Sequence, residues 1–252
     1  MRVRVVICRS PVATGDYAAA EVTARLNAAL REKDRARLLL STGASQFETL
    51  RSLVRRRVDW QRVDAFHLDE YVGLEAGHPA SFRHYLRERV AELVPLRMHY
   101  VDPSSAGAIE ELAALVASAP MDAALIGIGE NGHIAFNDPP ANFETTAPYL
   151  EVDLDERCRA QQVGEGWFAS IGDVPRRAVT MSVREILRAR AIISAVPHAA
   201  KAEAVRALLT TTTVSPDLPA SALRQHGDVT VVLDLASAQR LPGEVWDTCL
   251  VL

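Results

Sequence analysis

The chain has 252 residues and is 48% hydrophobic, which is enough apolar surface for one large packed domain and too much for a disordered chain. Its formal net charge of −4 argues against a nucleic-acid-binding surface, and no apolar run approaches the ~18 residues of a membrane span. Residues 1–8 are strand-like and have no signal-peptide pattern. The three cysteines, Cys8, Cys158 and Cys249, are too scattered for a disulfide framework or a zinc site. We therefore expect a cytoplasmic protein without nucleic-acid or membrane partners.

Strand-like and helix-like segments alternate along the chain. Strands are predicted at residues 1–8, 37–40, 62–68, from 121, and at 178–183, 191–196 and 228–233. Helices are predicted at residues 17–33 (capped by Thr14 or Asp16), 47–54, from 78 with Pro79 near the start, and at 110–117, 184–190 and 202–209. This alternation predicts a single α/β domain over residues 1–252. We expect a Rossmann-like, mostly parallel sheet covered by helices on both faces.

The stretch 125–139 is the most informative part of the chain. An apolar strand runs into three glycines, Gly127, Gly129 and Gly132, which free the backbone for tight turns and close ligand approach. His133 follows at once, and Asp138 comes five residues later. A buried strand that ends in this way is typical of a site at the carboxyl edge of a parallel sheet. The alternative is a glycine-rich loop with a structural histidine.

Small and hydroxyl-bearing residues follow the strand at 37–40, namely Ser41, Thr42, Gly43, Ala44 and Ser45. A strand, such a loop and a helix in this order favour phosphate binding, because loop amides and hydroxyls point at the anion. The alternative is a helix start capped by Ser45. Lys201 lies near a predicted helix start, where a cation is unfavourable unless an anion is near. It is therefore a candidate phosphate partner, although a surface lysine is the commoner case.

Two adjacent carboxylates, Asp69 and Glu70, come directly after the predicted strand at 62–68. Crowding them is costly unless one is used or paired, so they are candidates for a general base. The alternative is a helix cap beside a solvated acid.

The polar, acidic segment 142–168 is interpreted as a mobile flap over the central loop, with a solvated surface excursion as the alternative.

Four segments together resemble the glucosamine-6-phosphate deaminases, a family related to 6-phosphogluconolactonase. They are LSTGAS at 40–45, FHLDEYVGL at 66–74, HPASF at 78–82 and GIGENGHIAFNDP at 127–139. The resemblance covers nearly the whole chain. It implies an aldose–ketose isomerising deaminase of amino-sugar and carbohydrate metabolism, classed as a hydrolase, that converts glucosamine 6-phosphate or an epimer to a ketose 6-phosphate and ammonia.

By position, the resemblance also implies roles for individual residues. His133 would open the sugar ring by passing a proton to the ring oxygen, and Asp69 would move a proton from C2 to C1. Asp138 would orient the histidine, and Asn131 stands where the best-known members have aspartate. The loop 41–45 and Lys201 would hold the phosphate. No metal or organic cofactor is implied.

The chain departs from the family in several places. Asp138 replaces a glutamate, and Ala44 and Gln46 replace the usual glycine and proline of the loop. The family's second phosphate cation, an arginine in the flap, has no counterpart near residues 164–167.

Two other functions stay open at this point. A 6-phosphogluconolactonase would share the fold but would not need Asp69 as a carbon base. A non-catalytic sugar-phosphate-sensing module would have little reason to keep that base. In each case the partner is a small sugar phosphate, and a homo-oligomer is left open.

Overall fold

The structure is a computed structural model that describes residues 3–252. Within these residues the strands are β1 (Arg4–Cys8), β2 (Ala36–Leu40), β3 (Val63–His67), β4 (Asp69–Tyr71), β5 (Arg97–His99), β6 (Ala123–Ile126), β7 (Tyr149–Asp153), β8 (Arg177–Met181), β9 (Ile192–Val196), β10 (Val229–Asp234) and β11 (Leu250–Val251). The helices are α1 (Pro11–Glu32), α2 (Phe47–Leu53), α3 (Phe82–Leu86), α4 (Ala108–Ala117), α5 (Glu156–Gly164), α6 (Val183–Ile186), α7 (Ala202–Thr210), α8 (Leu235–Ala238) and α9 (Gly243–Trp246). The first predicted strand therefore begins at Arg4, and Met1 and Arg2 lie outside the described residues.

A parallel sheet forms the centre of the domain. Within residues 3–252 its eight strands lie in the order β11-β1-β10-β9-β6-β2-β3-β5, and each neighbouring pair is parallel. Successive residues of a strand point to opposite faces. Leu38 and Leu40 accordingly pack with α1 and α2 on one face, while Leu39 joins the cluster that includes α4 and α7 on the other. The predicted Rossmann-like, mostly parallel α/β fold is confirmed.

A small antiparallel sheet, which the sequence pattern did not predict, stands beside the main sheet. In the described part of the chain it contains three strands in the order β4-β8-β7, and it pairs Asp69 with Thr180. Its apolar side covers a separate cluster that includes Tyr71, Phe82 and Phe136. A strand as short as β4 leaves no periodic signal in the sequence, which is why the chain was not expected to change sheets after β3.

The start of α1 differs from the expectation. Ser10 is the N-cap, its Oγ accepting a hydrogen bond from the amide of Ala13 at 3.2 Å, and Pro11 takes the first helical position. Thr14 lies inside the helix, where its hydroxyl donates to the carbonyl of Leu233 at 3.0 Å. The predicted caps Thr14 and Asp16 are therefore wrong, because the helix begins at Pro11 and not at residue 17.

Three other helix starts or ends are also corrected. The helix expected from residue 78 begins at Phe82 with Ser81 as its cap, and Pro79 lies in the preceding turn. The helix expected at 184–190 is limited to α6. Ser45 does not cap α2, because it lies within a 3-10 turn, Ala44–Gln46, that precedes the helix.

The segment 142–168 contains β7 and α5 rather than an irregular excursion. β7 pairs with β8, and Leu154, Cys158 and Phe168 join the cluster under the small sheet. A purely solvated excursion is therefore wrong. The mobility of this segment stays a prediction.

Candidate active site

A cleft opens at the carboxyl ends of β2 and β6. Its lining includes seven of the residues singled out from the sequence: Ser41, Thr42, Gly43, Ser45, Asp69, His133 and Lys201. Ala44 and Asn131 line an adjoining opening, and Asp138 lies beside His133. Residues far apart in the chain thus meet at one edge of the sheet.

The turn after β6 places the imidazole of His133. The amide of Gly129 donates to the carbonyl of His133 at 2.9 Å and closes the turn. A Cβ on Gly129 would lie 2.2 Å from the His133 ring, so the ring can cross the loop only at a glycine. Gly132 has φ +85, and a Cβ there would lie 2.5 Å from Leu218. The two glycines therefore have a steric reason to be where they are.

His133 and Asp138 form a buried pair. Nδ1 of His133 lies 3.0 Å from Oδ1 of Asp138, and that oxygen also accepts a hydrogen bond from Nδ2 of Asn131 at 3.1 Å. Burial opposes ionisation of Asp138, but its hydrogen bonds and the charge of His133 prevail, so its pKa is lowered. The shorter side chain of aspartate therefore reaches the histidine.

Cys158 of α5 closes the other side of this pair. Within residues 3–252, the ligand atoms of Cys158, His133 and Asp138 are the group that lies close enough for a metal ion, within 4.8 Å of one another. Burial raises the pKa of the Cys158 thiol, and the charge of Asp138 adds to the effect. The buried Cys158 side chain is therefore a neutral thiol.

Asp69 is the buried acid of the cleft, with 4% of its surface exposed. Burial and then the charge of Glu70 raise its pKa well above the ordinary value of 3.8. Glu70 itself accepts hydrogen bonds from Ser81 Oγ at 2.8 Å and from Nε of Arg83 at 3.2 Å. The carboxylate of Glu70 is thus occupied by structural hydrogen bonds, whereas Asp69 faces the cleft.

The loop after β2 points polar groups into the cleft. Ser41 is 3% exposed, and its Oγ has no hydrogen-bond partner within the described residues. A buried hydroxyl without a partner is costly, so it suits a ligand oxygen. Gly43 has φ +96, a conformation that favours glycine, and its carbonyl accepts from the hydroxyl of Tyr85 at 3.0 Å. Gln46 anchors the loop through Nε2, which donates to the carbonyl of Ala195 at 3.1 Å.

Lys201 brings a buried cation to the same side of the cleft. The residue is 5% exposed, and its Nζ lies 3.8 Å from Oε1 of Glu165. Burial lowers the pKa of Lys201, and the charge of Glu165 opposes that effect. Lys201 is therefore not a surface lysine.

Three polar residues of α5 and its C-terminal end also line the cleft: Gln161, Gln162 and Glu165. Oε1 of Gln162 accepts a hydrogen bond from the hydroxyl of Tyr71 at 2.8 Å, and this bond joins the helix to β4. Sequence reasoning missed these residues because polar side chains in a polar segment suggest a solvated face. The adjacent glutamines of this segment were the available signal.

Fold and site together define a Rossmann-like α/β protein with a cleft at its strand ends that brings a histidine and a buried carboxylate together. The family model for glucosamine-6-phosphate isomerases/6-phosphogluconolactonase matches residues 9–232. A glucosamine-6-phosphate deaminase of Streptococcus pneumoniae (strain 70585) is 33% identical over 199 residues, which is 77% of this chain and 83% of the relative. The chain belongs to the glucosamine-6-phosphate isomerase/6-phosphogluconolactonase family.

Solved structures agree with this assignment. A monomeric glucosamine-6-phosphate deaminase superposes with a TM-score of 0.85 at 33% identity, covering 94% of this chain and 99% of that chain. A 6-phosphogluconolactonase from Thermotoga maritima has a TM-score of 0.75 at 19% identity, covering 92% of this chain and 99% of that one. At that identity the second likeness shows the fold alone.

The comparisons also correct one expectation. The similar proteins are named deaminases and the family model describes isomerases, so the classification as a hydrolase is wrong. Among the helices of the described residues, none combines the length and the apolar character that a membrane crossing requires.

Proposed function

We propose that the protein converts glucosamine 6-phosphate to fructose 6-phosphate and ammonia. The observation that carries this proposal is that Asp69 and His133, from separate strand ends, face one cleft together with Lys201 and the loop after β2. Proton transfers on a phosphorylated sugar need an acid, a base and a fixed anion. The relatives at 33% identity are named glucosamine-6-phosphate deaminases, and these names indicate that the substrate is an amino sugar.

Binding begins at the phosphate. The unpartnered Ser41 hydroxyl and the buried ammonium of Lys201 offer a donor and a charge to phosphate oxygens. Anchoring this end leaves the sugar carbons to extend toward the imidazole and the carboxylate at the other side of the cleft.

His133 acts first in this scheme. Its imidazole passes a proton to the ring oxygen as the ring opens, and Asp138, 3.0 Å away, orients the imidazole. Asn131 supports Asp138 in place of a second acid.

Asp69 then acts as the carbon base. It takes the proton from C2 and returns it to C1, which leaves an imine at C2. Water then adds to C2, and ammonia leaves as the C2 ketone forms. A carboxylate with a raised pKa is a stronger base than a solvated one, which suits it to a C–H bond.

The test is product formation from purified protein. We expect ammonia and fructose 6-phosphate from glucosamine 6-phosphate, and a C2 deuteron transferred in part to C1. No ammonia from either the gluco or the galacto amino sugar would reject the proposal. Acid release from 6-phosphogluconolactone above the buffer rate, without ammonia, would replace it with the lactonase function, and tight sugar-phosphate binding without turnover would favour the sensing module.

We infer that the protein works in a reducing cytoplasm. Cys8, Cys158 and Cys249 are free thiols, which is consistent with a reducing cytoplasm. One structural relative is described as monomeric, and light scattering would decide between a monomer and the homo-oligomer that the sequence left open.

A further inference from the structure

The carboxylate of Glu165 lies in the part of the cleft that we assign to phosphate. Its Oε1 is 3.8 Å from Nζ of Lys201, and its Oε2 is 4.0 Å from the position that a Cβ on Gly43 would take. An acid at this place is unexpected, because a carboxylate and a phosphate dianion repel each other at such distances.

Fixed donors hold this carboxylate in place. Oε1 accepts from Nε2 of Gln161 at 2.7 Å, and Oε2 accepts from Nε1 of Trp167 at 3.2 Å. The Glu165 side chain is 18% exposed. It is therefore a partnered group that faces the cleft, not a solvated surface acid.

Burial of Lys201 explains why it contacts Glu165. Lys201 is 5% exposed, and a buried ammonium is costly unless it has an anionic partner. In the described part of the chain, Lys201 is the only lysine or arginine that lines the cleft, and Glu165 is the anion nearest to it. The cation that should attract phosphate is thus already neutralised by an internal carboxylate.

The backbone around Glu165 allows its side chain to move away from Lys201. Gly164 and Gly166 flank it, Gly166 has φ +83, and open space surrounds the Cβ position of both glycines. Glycines on both sides can absorb a local rotation without a change in the rest of α5.

We propose that Glu165 is a specificity-determining residue that holds the phosphate's place on Lys201, so that only a ligand with a dianionic group can replace it. A neutral sugar brings no charge to Lys201, and a monoanion only matches the carboxylate that it displaces. A phosphate dianion brings the larger charge and also reaches Ser41. The inference rests on the proposed function for the identity of the substrate but concerns anion selection alone.

The test is anion binding by Glu165→Gln, measured by calorimetry with inorganic phosphate and, separately, formate as probes. Glutamine keeps the size and most hydrogen bonds of glutamate but removes the competing charge. We expect the Kd for phosphate to fall by about tenfold or more, with the Kd for formate falling as well and the preference for phosphate over formate becoming smaller. The matched control is Glu156→Gln, the same change at an exposed position in the first turn of α5, for which we expect wild-type Kd values.

A second readout follows Glu165 directly. Its release removes the acceptor of the Trp167 indole, so phosphate should change Trp167 fluorescence in wild type and much less in Glu165→Gln. Equal or weaker phosphate binding by Glu165→Gln would overturn the proposal, as would failure of both proteins to bind phosphate at millimolar concentration. These outcomes do not depend on turnover. Absence of ammonia release with the expected binding shifts would reject only the proposed reaction.

Discussion

The two walls of the cleft are built in different ways. The strand-end wall, meaning β2, β4 and the turn that carries His133, grows out of the sheets, and all five residues of β2 are buried. The helical wall is α5, which has nine residues of which Cys158 and Gln162 are buried. The strand-end wall holds Asp69 and His133, the proposed acid–base residues, and the helical wall meets the proposed phosphate position through Glu165. Groups that must not move are thus on the rigid wall, and the group that we propose to move is on the weakly anchored one.

The largest effect is expected for Asp69→Asn, a substitution in the strand-end wall. The variant removes the proposed carbon base, so kcat for ammonia release should fall by about 10³-fold, and C2 proton exchange in deuterated water should stop. Phosphate binding should be unchanged. The control is Asp59→Asn, an exposed acid before the same strand β3, with wild-type activity expected. Retained C2 exchange in Asp69→Asn would place the base elsewhere.

Lys201→Met should produce the next largest effect, and on binding rather than chemistry. Loss of a charged phosphate partner should raise KM for the sugar phosphate by about 10- to 100-fold and change kcat less. Arg206→Met, at an exposed position of α7, is the control. An unchanged KM with a lower kcat would mean that Lys201 acts on the reaction and not on the phosphate.

The pH dependence of the free energy of unfolding should show that burying Asp69 in the strand-end wall reduces stability. Because the pKa of folded Asp69 is above the ordinary 3.8, the folded state binds more protons than the unfolded state above that pH, and stability falls as pH rises toward the folded pKa. Asp69→Asn lacks this loss, so its free energy of unfolding should exceed that of wild type at neutral pH. This gain should vanish near pH 4. A pH-independent difference would contradict the buried, raised-pKa acid.

The smallest effect is expected where the two walls meet. Gln162→Leu leaves the Tyr71 hydroxyl without its partner, which costs about 1–3 kcal/mol locally. Amide exchange of α5 should become faster and KM should rise several-fold, with less effect on C2 exchange. Tyr71→Phe removes the same bond from the other side, and the double variant should be less than additive. Additive effects would show that this bond does not couple the helix to β4.

The strand-end wall was largely predictable from sequence, and the helical wall was not. Gly129, Gly132 and His133 are neighbours in the chain, so their spacing alone predicted a tight turn that presents an imidazole. The hydrogen bond between Tyr71 and Gln162 joins residues 91 positions apart, and no local pattern carries such a contact. The small sheet escaped prediction for the same reason, because β4 is paired by a strand that comes about a hundred residues later.

The sequence by itself determined the alternation of strands and helices, the turn chemistry before His133 and the two acids that follow β3. These features depend on side-chain periodicity and on local backbone freedom, which a linear pattern records. Only the tertiary structure decided that Glu70 is consumed by Ser81 and Arg83 while Asp69 faces the cleft, and that Glu165 meets Lys201. Burial and charge pairing depend on which distant segments pack together, and those packing partners determine which of two similar acids can act.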